Sequence, residues 1–393
     1  MTDTEHFVET EYKVFHHFDN VKVFTPEEIE LANKEETDRN AAAMKQILDD
    51  GFIAFPIFHR DTKGVLQELT AYLPPTFVPS NSEGFLETHG MNYNIYVPSY
   101  KRPNSLTAKM LDAFGAKNWY LAIDPDQYLA YKEVWGTDRL IIRDIRFRDP
   151  SMVDLGSSLK RPNKMSGTAG IYNNLLALSR SLGEEKYWTL DDDFLSLAMK
   201  ARKGDFDVAP DEVYDKDNYY RCSRIKEEYG FNFSKFMLGM ETVGSAVRNH
   251  GFIGLERFGT VFSLCVKYKW GTRVYSYYLT DNRTQPTHRG SMNNDVIASL
   301  EQSKRQMPPA LLEVISYNSM QTQSDEGGLS SQYKYLGTLE KGKVLVKYAP
   351  NFAKITERYS RIHHTVDFNR YNKIRTVGTP INDSFRGYYK ATD

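Results

Sequence analysis

Hydrophobic and polar positions switch period repeatedly along this chain. The switching is most regular between residues 93 and 190. Ahead of that stretch, residues 26–50 predict a helix, with Pro26 suited to its first turn and acidic residues early. Gly51 ends it, and the apolar FIAFPIF predicts a short strand. Residues 73–92 are rich in Pro, Ser, Asn and Gly and predict a loop and a boundary. NIYVP (94–98) then predicts a buried strand, SLTAKMLDAFG a helix stopped by Gly115, and WYLAI (119–123) a second strand. Pro125 opens another helix, stopped by Gly136, and RLIIRDI (139–145) predicts a third strand. Strand and helix alternating at this spacing argue for right-handed crossovers and a parallel sheet. A further helix is expected from about Gly170 to Leu182. After Gly183, YWTL (187–190) predicts a strand that ends directly in Asp191-Asp192-Asp193.

The second half is less regular. FSKFMLG, GFIGLERF, TVFSLCVKYKW and RVYSYYL read as strands or mixed β segments, DVIASLEQSKRQM as a short helix, and KVLVKYAP as another strand. No repeat and no low-complexity tract interrupts the chain. The expected fold is α/β, with a mainly parallel central sheet flanked by helices, an N-terminal helical extension and a mixed β region. Three parts follow: 1–92, 93–200 and 201–393.

Composition places this pattern in a globular protein. The chain has 393 residues, 40% of them hydrophobic and 26% charged, enough for a sizeable core. Its formal net charge of -1 advertises no polyanion partner, but the charge is uneven. Residues 1–40 carry 4 Lys/Arg against 11 Asp/Glu, and residues 332–393 carry 12 against 5. The basic end is compatible with a nucleic-acid groove, and also with an ordinary solvated face. Cys222 and Cys265 are the only cysteines, too few for a disulfide framework or a four-thiolate zinc site. The expectation is a reduced, cytoplasmic setting with no signal peptide, no membrane span and no membrane partner.

Several segments carry candidate chemistry. Carboxylates at the end of a buried strand lie at the carboxyl edge of a parallel sheet, where α/β folds bind ligands. Asp191, Asp192 and Asp193 can grip a hard divalent cation there. A helix beginning at Phe194 would instead make them a cap. In VPSYKRPNS (97–105), a polar loop opening a helix suits an anion. Tyr100 could stack on a base, and Lys101 or Arg102 could meet phosphate. Asp295, in RGSMNNDV, could be a general base or a helix cap. One of His363 and His364 could complete a metal site. Gly327 and Gly328 suit a binding loop. The sequence has no Walker A loop, no G-x-G-x-x-G, no HExxH and no G-x-S-x-G, so P-loop phosphoryl transfer, hydride transfer and serine-triad hydrolysis lose support.

The ordered set VPSYKRP, YLAIDPDQYLAYKEVWG, GIYNNLLALSRSLG and YWTLDDDF resembles the nucleotide-binding half of GT-A glycosyltransferases. With RGSMNNDV, SYNSMQTQ…GG and HHTVDF, the chain is most similar to the TET-associated glycosyltransferases. The resemblance covers roughly residues 93–375. It implies transfer of glucose or arabinose from a UDP-sugar to the hydroxymethyl group of 5-hydroxymethylcytosine in phage DNA, in the cytoplasm of an infected bacterium. It implies a divalent metal, Mn2+ or Mg2+, on Asp193 and Asp191 with His363 or His364. Pro98, Ser99, Tyr100, Arg102, Asp191 and Asp192 would meet the donor, and Asp295 would be the base. The helix before the acidic run has Tyr172-Asn173-Asn174 where many GT-A enzymes have Arg-Asn. Asn294-Asp295 stands where Glu-Asp is common. Lys160, Arg161, Lys164, Arg289, Gln321 and Gln323 are candidate contacts to the acceptor.

A DNA acceptor demands that the base be flipped or presented in a widened groove. The competing readings are a glycosyltransferase acting on a glycan, protein or small molecule, a nucleotidyltransferase, and a non-catalytic binding module. A nucleotidyltransferase would need a lysine-rich phosphate loop, which Lys101 and Arg102 supply only weakly.

Overall fold

The computed structural model describes residues 21–200, 219–221, 232–246, 250–257, 268–285, 287–320, 328–358 and 361–376. Helix α1 (Pro26–Asp49) starts at a capping box, in which Thr25 and Glu28 satisfy each other's backbone N–H groups. The hairpin β1 (Ile53–Arg60) and β2 (Leu66–Leu73) follows. The short helix α2 (Phe85–His89) interrupts the expected loop.

The regular core comes next: β3 (Ile95–Pro98), α3 (Leu106–Ala113), β4 (Trp119–Ile123), α4 (Tyr128–Trp135), β5 (Leu140–Ile142), α5 (Ala169–Ser181) and β6 (Lys186–Leu190). Strands β4, β5 and β6 are buried at every residue, as strands covered on both faces must be. Successive side chains feed opposite faces. Ile95, Val97, Trp119, Leu121 and Ile123 pack with α1, α3 and α4, while Tyr96, Tyr120, Ala122 and Ile141 pack with α5.

The second half contributes β7 (Phe194–Lys200), β8 (Tyr219–Arg221), α6 (Phe233–Ala246), β9 (Phe252–Arg257), β10 (Tyr268–Trp270) and β11 (Tyr277–Asp281). It continues with α7 (Asn294–Lys304), β12 (Ala310–Ser319), α8 (Ser330–Tyr348), β13 (Ala353–Arg358), β14 (Arg361–Val366) and α9 (Phe368–Thr376). Among the described residues, one 12-stranded sheet runs β1-β2-β5-β4-β3-β6-β11-β9-β12-β7-β8, with β10 beside β12. Strands β13 and β14 pair separately.

The sheet is mixed rather than mainly parallel, which corrects the sequence expectation. Among the described residues, only β5-β4-β3-β6 and the β9–β12 pair are parallel. Parallel pairing needs long crossovers, and the chain supplies helical ones up to β6. The β1–β2 hairpin then adds antiparallel to β5, and β11 adds antiparallel to β6. Two segments expected as strands are helical. FSKFMLG opens α6, where Phe233, Met237 and Met240 recur at helical spacing on the buried face. KVLVKYAP lies largely in α8, whose Val344 and Leu345 pack on Val296, Ile297 and Leu300 of α7.

Candidate active site

Within the parallel core the strand order is β5-β4-β3-β6. The chain moves outward from β3 to β5, then returns to place β6 on β3's other side. The carboxyl ends of β3 and β6 therefore meet at the point where strand order reverses, the place where open α/β sheets bind ligands. The loop Ser99–Arg102 leaves β3 there, and Asp191-Asp192-Asp193 leaves β6.

The acidic run is a tight turn between two strands, because Phe194 begins β7 and not a helix. The helix-cap reading therefore falls. The start of α3 holds the turn in place. Ser105 Oγ donates to the Asp192 carbonyl at 3.0 Å, and the Leu106 N–H reaches the same oxygen at 3.1 Å. Thr107 Oγ1 donates to the Asp191 carbonyl at 2.5 Å and accepts from the Phe194 N–H at 3.0 Å. Asp191's own N–H donates to the Ser276 carbonyl, 2.9 Å away.

The three carboxylates then diverge. Asp192 is buried, accepting from Ser99 Oγ at 2.6 Å and from Arg102 Nη1 at 2.8 Å. Burial raises its pKa, and Arg102 works against that rise. Tyr131 Oη lies 2.7 Å from Ser99 Oγ and accepts from the Arg102 N–H at 2.9 Å. Ser99, Arg102, Tyr131 and Asp192 thus form one connected unit. Asp191 accepts from Tyr172 Oη at 2.6 Å. Asp193 is half-open and lies 3.9 Å from Arg102 Nη1. Burial and mutual repulsion within the turn raise the pKa values of Asp191 and Asp193.

Tyr100 stands beside this unit with the Arg148 guanidinium 4.8 Å from its ring centre. Arg148 is itself fixed by Asp124 and by Glu36, the latter at 3.0 Å. The Tyr100 carbonyl accepts from the Gly328 N–H at 3.0 Å. Pro98 is half-buried at the end of β3.

Asp295 sits in the first turn of α7. It is half-buried, with Oδ1 accepting from the Val296 N–H at 2.8 Å, as suits a carboxylate in a first helical turn. Burial raises its pKa, while Lys341 and Arg273 oppose the rise. Tyr172, Tyr278 and Tyr317 all feel both Asp191 and Asp295, so the two carboxylates share one set of phenols.

The histidines lie on the separately paired β13–β14 hairpin. His363 is exposed and His364 half-buried on β14, opposite Thr356 and Ile355. Burial, with Lys341 and Arg273 nearby, lowers the His364 pKa to about 4. Among the described residues no three His, Cys, Asp or Glu side chains gather as a metal cluster. Lys160 and Arg289 are exposed, Lys164 is half-buried and Arg161 is buried. Gln321 and Gln323 lie outside the described residues.

Ser105, Thr107 and Tyr131 are not singled out as site residues in the sequence, and Tyr172 is noted only as a departure from the GT-A pattern. Ser105 is recognisable there as the last residue of the polar loop before α3. Tyr131 and Tyr172 are not, since tyrosine on a helix reads as core.

The model of the TET-associated glycosyltransferase family matches residues 93–328, from just before β3 to the start of α8. The chain belongs to that family. It is therefore a glycosyltransferase, and its donor is a nucleotide-sugar. No curated protein and no solved structure matches it. Among the described residues, no helix is long and apolar enough to cross a membrane.

Proposed function

We propose that this glycosyltransferase moves a pentose or hexose, arabinose or glucose, from a UDP-sugar to the hydroxymethyl group of 5-hydroxymethylcytosine in phage DNA. The family membership supports a DNA acceptor of this kind. The observation that carries the site is the acidic turn at the switch point, with Asp295 sharing its phenols. In this reading residues 93–200 form the donor half and residues 201–393 the acceptor half, with 1–92 as an extension.

The donor set fits a hard divalent cation such as manganese or magnesium. Asp191 and Asp193 offer carboxylate oxygens. Asp191 is bonded by hydroxyls, and the nearest guanidinium nitrogen to Asp193 is 3.9 Å away. When bound, the cation neutralises charge on the leaving diphosphate. Two carboxylates leave most positions to donor oxygens and water. His363 or His364 is the candidate to complete the set.

The other roles belong to the chain itself. Arg102, anchored by Asp192, places its positive charge beside the diphosphate, and Pro98 and Ser99 shape the loop. Tyr100, with the Arg148 guanidinium and the Lys101 ammonium over its ring, is the candidate to stack on the uracil. Asp295 accepts the proton of the acceptor hydroxyl as that oxygen bonds to the anomeric carbon. The bond from the anomeric carbon to the diphosphate oxygen breaks, and UDP leaves. This single displacement inverts the anomeric configuration. Asp295→Asn tests it. Loss of a positioned base should lower kcat by about 10²–10⁴-fold with donor binding retained. An unchanged kcat would remove Asp295 from the chemistry.

A further inference from the structure

Away from the acidic turn, a cavity of about 700 Å³ opens between the β1–β2 hairpin and the segment 150–163. Arg60, Lys160, Arg161 and Arg289 line it. Its two carboxylates, Asp61 and Asp154, are engaged by backbone N–H groups. Asp61 accepts from Lys63 and Val65, and Asp154 accepts from Gly156. The cavity is thus left with a positive surplus.

Arg161 is the unusual member. It is only 6% exposed, and Nε, Nη1 and Nη2 find no hydrogen-bond acceptor among the described residues. Burying a guanidinium with none of its donors satisfied is costly, and native proteins rarely tolerate it without a ligand. Glu340 is the nearby carboxylate, but it bonds Ser157 Oγ, and no ion pair joins it to Arg161 among the described residues. An arginine fork of this kind matches phosphate oxygens two at a time.

We propose that Arg161 and this cavity form a phosphate pocket that seats one phosphodiester of the acceptor strand. The proposal rests on the DNA reading above and deepens it. The cavity's wall is tied to the chain that carries Asp295. The Gly290 N–H donates to the Asp154 carbonyl at 2.8 Å, and the Ser291 N–H to the Leu155 carbonyl at 3.0 Å. A phosphate held by Arg161 would therefore be fixed to the same frame as the residue that meets the target hydroxyl. Lys160 and Arg289, at the rim, add electrostatic pull along the strand.

The test uses the full chain, Arg161→Met and Arg161→Lys. Three quantities are read: melting temperature, its response to inorganic phosphate, and affinity for a hydroxymethylcytosine oligonucleotide over a salt series. Arg161→Met should melt at or above the wild-type temperature in phosphate-free buffer, since an unpaired buried charge has been removed. It should lose the rise in melting temperature that phosphate gives the wild type. Its DNA affinity should fall about tenfold, and the slope of log K against log salt should shrink by about one. Arg161→Lys should keep part of the affinity.

A lower melting temperature in Arg161→Met, with phosphate response and DNA affinity unchanged, would make Arg161 structural and overturn the proposal. Loss of the phosphate response with DNA affinity intact would leave a pocket for free phosphate and overturn its assignment to the strand. If the wild type itself neither binds nor modifies the oligonucleotide, the acceptor reading falls, and the pocket's assignment falls with it. If the wild type does both and Arg161→Met matches it, the pocket alone is refuted.

Discussion

The Tyr172 phenol donates to Asp191 Oδ1 at 2.6 Å, and the same phenol lies within the field of Asp295. One buried side chain on α5 therefore orients the turn at the switch point and borders the proposed base. The next residue, Asn173, bonds the His288 backbone at both its N–H (2.7 Å) and its carbonyl (3.0 Å), fixing the segment that leads to Asp295.

Removing only the phenolic oxygen should expose this link. Tyr172→Phe loses a hydrogen bond to a charged group, worth about 1.5–3 kcal/mol. Steady-state kinetics should show kcat/KM lowered about 10–100-fold, with the fold retained by circular dichroism. Wild-type kinetics would show that Asp191 needs no orientation.

The unit of Ser99, Arg102, Tyr131 and Asp192 makes a different prediction. Arg102→Met leaves the Asp192 carboxylate buried without its cation, a change that typically costs about 3–5 kcal/mol. Urea unfolding should show that loss, and the double variant Arg102→Met/Asp192→Asn should recover much of it. If the two single losses simply add, the pair is not coupled.

Stability should also report His288. Burial and Arg180 lower its pKa to about 3, below the unfolded value of about 6.5. Because the folded pKa is depressed, the unfolded chain binds the proton first. Stability is full above about pH 6.5 and falls as pH drops toward 3. The difference between wild type and His288→Gln should therefore narrow on acidification. The shift amounts to about 2 kcal/mol between pH 7 and pH 5. A difference that stays flat with pH would show that His288 is not held neutral.

Gly167 lies tight against the proposed base's segment. Its φ is +97°, and a Cβ there would sit 2.0 Å from the Ser291 carbonyl oxygen. Gly167→Ala should push the 287–295 segment away from α5, lowering melting temperature and transfer rate together. A variant that melts and turns over as wild type would mean this contact does not position Asp295.

The parallel core was legible because its signals are local. Apolar runs such as WYLAI, glycine stops at Gly115 and Gly136, and the helix before β6 each point to one element. The acidic run stood out in the sequence, but its shape did not. Only the strand at Phe194 shows that it is no helix cap, and only the packing shows that Asp192 is committed to Arg102 and Ser99. The antiparallel additions were hidden because strand pairing between distant segments leaves no local mark. FSKFMLG and KVLVKYAP are too short for periodicity to separate strand from helix, so their packing partners decide. Arg161 reads in the sequence as one of several candidate contacts to the acceptor, with nothing to set it apart. Its burial without an acceptor is a property of the folded chain alone.

The central claim is sugar transfer to hydroxymethylcytosine DNA, and one measurement bears on it most directly. The protein is incubated with manganese, a panel of UDP-sugars and hydroxymethylcytosine DNA, and the digested nucleosides are weighed by mass spectrometry. The account predicts a gain of one hexose or pentose on hydroxymethyldeoxycytidine, abolished in Asp193→Ala. Unmodified nucleosides with every donor, or full modification by Asp193→Ala, would contradict it.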